Sequence, residues 1–343
     1  MDTVKPLAPD AVPVILCSDD NYFPYVAAAV QSLLDNRDPA TSYDIVLLTA
    51  GEAAEENRSR LAAIVEGRPG ASLRFFSLAA RADRCRELFL SHHITAAAYY
   101  RLMIPEIFQN YRRVIYLDCD MVVLKDLKPL YEADLEGRAI GAVSDVAAAS
   151  AFSKKEDGVP DRRYAFTYVN SGMLVLDVAK CLEVDGKKSL ISMAAENDYP
   201  RHDQDVINVA FDGNIKLLPQ IWNVQGSIRT KGEPSPEFKN FLAEYRRAIA
   251  DPAILHYTKD KPGTSLNAYR ADLFWRYISK TQFFDLMAEQ ALNYKPEPRY
   301  RGWEKLFSAK NAGNDKVLRL FGFSFRIMRK RARAIRDAYL KGR

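Results

Sequence analysis

Cysteine is scarce in this chain: 4 residues among 343, at positions 17, 85, 119 and 181, with no C-x-x-C pair. That spacing excludes a disulfide framework and a zinc ribbon, and points to reduced, packed thiols in a cytosolic compartment. Long apolar runs are missing too. None approaches the roughly 18 residues that a membrane span needs, and the N-terminus lacks a basic region leading into an apolar one. Neither a span nor a signal peptide is expected. The sequence also holds no glycine-rich phosphate loop, no nucleophile elbow and no internal repeat. Phosphate-loop chemistry, elbow-type acyl transfer and repeat architectures are therefore unsupported.

Positive charge is concentrated in one place. The net charge is +5, but residues 326–343 hold eight Lys or Arg and one Asp, leaving 41 basic against 43 acidic side chains elsewhere. A body with a slight negative charge has no basic field for nucleic acid, so no nucleic-acid partner is expected. Composition is otherwise ordinary for a soluble chain, at 48% hydrophobic and 27% charged, and long enough to bury a sizeable core.

The stretch RVIYLDCDMVVLK, from Arg113 to Lys125, organises the rest. Two β-prone apolar runs flank Asp118 and Asp120, which one cysteine separates. A strand interior cannot solvate such a pair, so the carboxylates belong where a buried strand leaves the core. Side chains at i and i+2 share a side of extended backbone and can meet one cation, which cancels their repulsion. Two carboxylates leave positions open on an octahedral ion, as for Mg²⁺ or Mn²⁺ shared with substrate phosphates. The alternative is a solvated loop edge.

Upstream, Val12–Leu16, Tyr43–Thr49 and residues 72–77 read as strands, with helices over Tyr25–Leu34 and residues 52–66 between them. That alternation predicts parallel βαβ units, whose ligands gather beyond the strand C-termini. Asp19 and Asn21 lie there, as receivers of a base or ribose or as a turn and helix cap. Residues 83–110 read as helical. Within them, Arg101 stands in the apolar context AAAYYRLMIPEIF and requires a carboxylate or a phosphate partner. His92 and His93 read as surface or packing residues.

Downstream, Ala139–Val143 reads as a strand ended by Ser144 and Asp145, and 146–164 as an irregular loop. Asn170 enters the apolar run MLVLDV and needs partners, which substrate hydroxyls could supply. Gly172 permits a close backbone approach or a bulge. Residues 178–196 read as one helix, and Asp203, Gln204 and Asp205 edge the next as caps or as site residues. The expectation is loop over 229–245, a last strand over Pro252–Tyr257, and helix over 268–290. His256 ends its apolar strand as the two aspartates do, and neutral imidazole suits Mn²⁺ better than Mg²⁺. Lys261, beside Pro262 and Gly263, could hold a diphosphate as a point charge.

Six motifs in order, LCSDDNY, AYYRL, VIYLDCDMVV, YVNSGMLVLD, HDQDVIN and LHYTKDKPG, resemble the retaining glycosyltransferases of family 8 over about residues 12–280. The resemblance implies a single GT-A fold, an α/β nucleotide-sugar-binding unit with a Rossmann-like mixed sheet. It implies Mn²⁺, with Mg²⁺ as the alternative, held by Asp118, Asp120 and His256, and a UDP-sugar donor, UDP-galactose or UDP-glucose. Asp19, Asn21 and Tyr22 fall on positions contacting uridine and ribose, and Arg101, Asp145 and Asn170 on positions near diphosphate or sugar. Asp203 and Gln204 match the pair beside the transferred sugar, and Lys261 the lysine at the diphosphate. One departure stands out: Lys259 replaces a family glycine and Gly263 a tryptophan, with a spacer one residue shorter.

The expected function is therefore retaining transfer of a hexose, galactose rather than glucose, to a hydroxyl of a lipopolysaccharide or other cell-surface glycan. A sugar-nucleotide-binding protein without catalysis is the competing class, and a glucose-specific transferase with another acceptor a closer alternative. Gln204, a neutral amide, suits positioning, with Asp205 the nearest carboxylate nucleophile. The expected organisation is a catalytic domain over 1–280 and a helical region over 281–343. Its basic amphipathic end would hold the protein to the cytoplasmic face of an anionic membrane, near a lipid-linked acceptor.

Overall fold

The computed structural model describes residues 2–85, 88, 96–152, 166–226, 236–258, 260–265, 268–294, 307–312, 315–320 and 323–328. The chain divides into two compact units, residues 1–293 and 294–343.

In the first unit the strands are β1 (Val12–Ser18), β2 (Tyr43–Thr49), β3 (Ala71–Ser77), β4 (Arg113–Leu117), β5 (Met121–Val123), β6 (Ile140–Ser144), β7 (Val169–Asp177), β8 (Ile215–Leu217) and β9 (Ile254–His256). Seven of them form one sheet in the order β3-β2-β1-β4-β7-β6-β8, while β5 and β9 pair separately. β1, β2, β3 and β4 are parallel. β7 runs against both β4 and β6, and β6 is parallel to β8. The sheet is thus mixed through one reversed strand, as the family resemblance implied, and the βαβ alternation accounts for its parallel strands β3, β2, β1 and β4.

Both faces of the sheet are buried, as period-two alternation requires of continuous apolar strands. Val12, Val14, Leu16, Ile115 and Leu117 join one core cluster, and Ile15, Val114 and Tyr116 the other. The helix Phe23–Asp35 is mostly apolar and wholly buried from Phe23 to Leu34, with buried Gln31 and Ser32 hydrogen-bonded within the helix, as befits a helix packed on several sides. Pro24 pre-sets its first turn.

Several expected elements differ. Residues 79–85 and 96–103 are 3₁₀ turns, the second leading into a single α-turn, Ile104–Ile107, where Pro105 suits a first helical turn. His92 and His93 lie outside the described residues. Val146–Phe152 is helical, with Asp145 Oδ1 accepting the Ala148 N–H at 2.7 Å. Residues 178–196 split into Val178–Lys187 and Leu190–Glu196, and 268–290 into Ala271–Ile278 and Phe284–Asn293. Pro236–Ala250 is a helix where loop was expected, burying Phe238, Leu242, Tyr245 and Ala248 along one stripe.

In the second unit the helical expectation is overturned over the described residues 307–312, 315–320 and 323–328. They form β10 (Phe307–Ala312), β11 (Asp315–Leu320) and β12 (Phe323–Met328), an antiparallel meander in that order. The register sets Leu318 opposite Phe325 and Leu320 opposite Phe323. LRLFGFSF alternates with a period of two, which is the strand period. Residues 329–343, with most of the basic side chains, lie outside the described residues.

Candidate active site

The ends of β1, β4 and β6 and the start of β7 lie on one edge of the sheet, which brings Asp118, Asp145 and Asn170 together. The Asp118 N–H donates to Gly172 O at 2.7 Å and the Asp145 N–H to Tyr168 O at 2.9 Å. Between these contacts the β6–β7 register shifts, from Ala142 opposite Leu174 to Val143 opposite Asn170. Ser171, Gly172 and Met173 are left without partners in β6. This irregularity re-aims Asn170 and Gly172 at the site, a common use of bulges.

His256 arrives by the β5–β9 ladder, which pairs it with Met121, and the Tyr257 N–H donates to Asp120 O at 2.9 Å. As a result, one ligand atom from each of Asp118, Asp120 and His256 lies within 4.8 Å of the others. His256 is 4% exposed, with Nε2 3.2 Å from Asp120 Oδ1 and 3.5 Å from Asp118 Oδ2. Its Nδ1 meets Asn223 Oδ1 at 3.0 Å. Gly172 forms the floor: a Cβ there would stand 2.4 Å from His256 Cε1 and 2.6 Å from Asp118 Oδ2. Two carboxylates and one imidazole nitrogen, converging where a side chain has been left out, fit a divalent ion with a preference for Mn²⁺ over Mg²⁺.

Two cations balance the acidic cluster. Lys261 Nζ bonds Asp120 Oδ2 and lies 5.9 Å from the Tyr22 ring centroid. Burial alone would raise the Asp120 carboxyl, but Lys261 and His256 together hold it well below the usual carboxylate range. Arg101, 8% exposed, pairs with Asp118 at 2.9 Å and Asp203 at 3.1 Å. It also donates to Ser171 O at 2.8 Å and lies over the Tyr116 ring at 4.7 Å. Tyr116 in turn donates to Asp118 Oδ1 at 2.6 Å. Asp118 is thereby fixed from two sides with Oδ2 left toward His256. For Asp203, burial raises the carboxyl more than Arg101 lowers it, and Asp118 adds to the rise.

Beside these lies a ring of amides. Gln204 donates to Asp145 Oδ2 at 3.2 Å and accepts from the Ser171 N–H and from Asn170 Nδ2, both at 3.2 Å. Asn170 also donates to Asp145 at 3.2 Å, and Asp203 accepts from the Ser171 hydroxyl at 2.9 Å. Asp145, Asn170, Asp203 and Gln204 are therefore one constellation.

Other expected residues have different surroundings. Asp19 caps the turn Asp20–Tyr22 through the Asn21 N–H at 3.0 Å, and Asn21 and Tyr22 are exposed. Neither Asp203 nor Asp205 is the N-cap of the helix His202–Ala210; Arg201 is. Asp205 accepts the Arg201 N–H at 2.8 Å and the Tyr168 hydroxyl, and so closes the first turn from within. Gly263 has φ +86°, and a Cβ there would stand 2.2 Å from Met287 Cε. Tyr25 holds the same loop by donating to Pro262 O at 2.7 Å. Cys17, Cys119 and Cys181 are free and buried, and burial pushes all three thiols up. Sequence reasoning missed Asn223, wholly buried, and Ser171. The signal for Asn223 was a polar residue inside the apolar run LLPQIWNV.

The sequence profile described as Glycosyl transferase family 8 matches residues 13–264. General stress protein A of Bacillus subtilis is 29% identical over 282 residues, 79% of this chain and 94% of that protein. Lipopolysaccharide 1,2-glucosyltransferase of Escherichia coli is 25% identical over 246 residues, 70% of this chain and 69% of that one. Among solved structures, the apo WbbM bifunctional glycosyltransferase superposes with a TM-score of 0.73 at 26% identity, over 85% of this chain. The chain spans about half, 53%, of the length of that protein.

Proposed function

Because the chain belongs to glycosyl transferase family 8, with the GT-A arrangement of mixed sheet and Asp/Asp/His cluster, we propose that it transfers a hexose from a UDP-sugar to a glycan hydroxyl with retention. The observation that carries this reading is the convergence of Asp118, Asp120 and His256 within 4.8 Å beside Lys261. A divalent ion there supplies Lewis-acid stabilisation of a departing diphosphate. Lys261 adds a second positive centre on the Tyr22 side, where charge develops in the transition state. Asp19, Asn21 and Tyr22 form the uridine and ribose end, and Asp145, Asn170, Asp203 and Gln204 surround the sugar.

The bond from the anomeric carbon to the diphosphate oxygen breaks and the acceptor oxygen bonds to that carbon on the same face. The acceptor proton passes to the departing phosphate. Gln204 positions and does not attack: its amide is neutral, and its oxygen already accepts two hydrogen bonds. Asp205 is engaged by Tyr168 and Arg201, which supports the same-face route over a covalent intermediate. Arg101 acts through Asp118 and Asp203, holding both carboxylates in place.

Galactose is the favoured donor sugar and a lipopolysaccharide or other cell-surface glycan the acceptor; the likeness to a lipopolysaccharide glucosyltransferase supports the acceptor class and keeps glucose in the test. Among the described residues no helix is long and apolar enough to cross a membrane. We assign the protein to the cytoplasm, with peripheral contact to anionic lipid through the basic residues 326–343. A donor-hydrolysis panel with Mn²⁺ tests the central reading. UDP-galactose turnover should fall at least about 100-fold in Asp120→Ala, with the fold retained by circular dichroism. Wild-type turnover that survives exhaustive chelation, or an Asp120→Ala variant as active as wild type with Mn²⁺ present, would reject the metal-dependent mechanism, and glucose-only turnover would reverse the donor.

A further inference from the structure

Asn223 joins His256, a cation ligand, directly to Asn170, an amide beside the sugar, and the direction of its hydrogen bonds is imposed from outside. The Gly172 N–H, which can only donate, gives to Asn170 Oδ1 at 3.0 Å. The Asp145 carboxylate, which when ionised only accepts, takes Asn170 Nδ2 at 3.2 Å. Asn170 is therefore locked in one orientation. Its Oδ1 faces Asn223 at 2.9 Å and requires a donor, which must be Asn223 Nδ2. The Asn223 Oδ1 is thus left for His256 Nδ1 at 3.0 Å and requires a proton there. In neutral His256 the lone pair then falls on Nε2, the nitrogen aimed at Asp118 and Asp120.

We propose that Asn223 is a positioning residue that fixes the metal-binding tautomer of His256, taking its polarity through Asn170 from Asp145 and Gly172. Asn223 is 0% exposed, so these hydrogen bonds are shielded from bulk solvent. Its backbone is fixed too: the Asn223 N–H donates to Gln220 O at 3.2 Å, and the next residue bridges β9 through the Val224 N–H to Ile254 O at 2.9 Å. The same side chain thereby couples cation binding to the orientation of Asn170, a sugar-side group. This inference rests on the metal-site reading of the proposed function.

The test uses full-length protein with ¹⁵N-labelled histidine, metal-free, at about pH 8, above the ordinary histidine range. The imidazole that substoichiometric Mn²⁺ broadens first should carry its proton on Nδ1. In Asn223→Leu, of similar volume, that resonance should shift toward a tautomer mixture, and the Mn²⁺ dissociation constant should rise about 10- to 100-fold. Asn223→Asp keeps an acceptor for His256 but loses the donor to Asn170. It should keep the tautomer and raise the donor KM more than it weakens Mn²⁺. A wild-type proton on Nε2, or a folded Asn223→Leu that binds Mn²⁺ as wild type does, overturns the role of Asn223 alone. Wild-type protein that binds no Mn²⁺ overturns this inference and the metal-site reading together.

Discussion

A methyl group on residue 172 would have nowhere to go. The two nearest atoms it would meet, His256 Cε1 at 2.4 Å and Asp118 Oδ2 at 2.6 Å, are not the free ends of flexible side chains. The β5–β9 ladder and Asn223 hold the imidazole, and Tyr116 and Arg101 hold the carboxylate. Gly172→Ala should therefore weaken Mn²⁺ at least about 10-fold and lower turnover alongside, while thermal melting shows the fold intact. Unchanged Mn²⁺ affinity would mean that the floor yields. At this scale the sequence was most legible where charge interrupts an apolar strand: Asp118, Asp120 and His256 each end or follow one. Asn223 was not legible, because its partners Asn170 and His256 lie 53 and 33 positions away in the chain. A buried amide in isolation says nothing about which groups complete it.

Helices that pack on several sides announce themselves by length and composition, as Phe23–Asp35 does. The two helices read as irregular, Val146–Phe152 and Pro236–Ala250, share a small cluster of their own through Ala149, Phe238 and Leu242. Their signals were present, in the cap at Asp145 and in the spacing of Phe238, Leu242 and Tyr245. Short segments nevertheless take their stability from tertiary packing more than from propensity. The far end of Phe23–Asp35 gives a prediction in pH. Asp35 accepts from Gln31 at 2.7 Å, Arg68 at 2.9 Å and Lys280 at 2.7 Å. Burial opposes ionisation there, but the Lys280 and Arg68 bonds win and hold the carboxyl below its ordinary value. A depressed folded-state pKa contributes stability above the unfolded value of about 3.9, lost as pH falls through the folded one. Asp35→Asn should thus cost about 0.5–1 kcal/mol at neutral pH, and its denaturation midpoint should converge on that of wild type in acid. A constant gap between the two at every pH would exclude this clamp.

Across the whole molecule the βαβ alternation made the parallel half of the sheet legible. The reversed β7 was not, since strand direction depends on connections that hydrophobic pattern does not encode. The same limit applied to the meander of residues 307–312, 315–320 and 323–328, whose period of two was masked by the basic run after it. Every residue assigned to the site precedes Thr264, and residues 1–293 form a unit by themselves. A protein ending at Asn293 should keep Mn²⁺-dependent donor hydrolysis and lose co-sedimentation with anionic liposomes at physiological salt. Retained sedimentation would place the lipid contact in the first unit.

The pairing of β5 with β9 also bears on how the protein is made. Asp118 and Asp120 leave the ribosome long before His256, and neither the ladder nor the Tyr257 bond to Asp120 can form until the later strand has emerged. A chain arrested between them carries two carboxylates, Arg101 to neutralise one of them, and no third ligand. The three-ligand cluster is therefore complete only in a chain that reaches Tyr257, because the β5–β9 ladder and the Tyr257 bond are what bring His256 to the two aspartates.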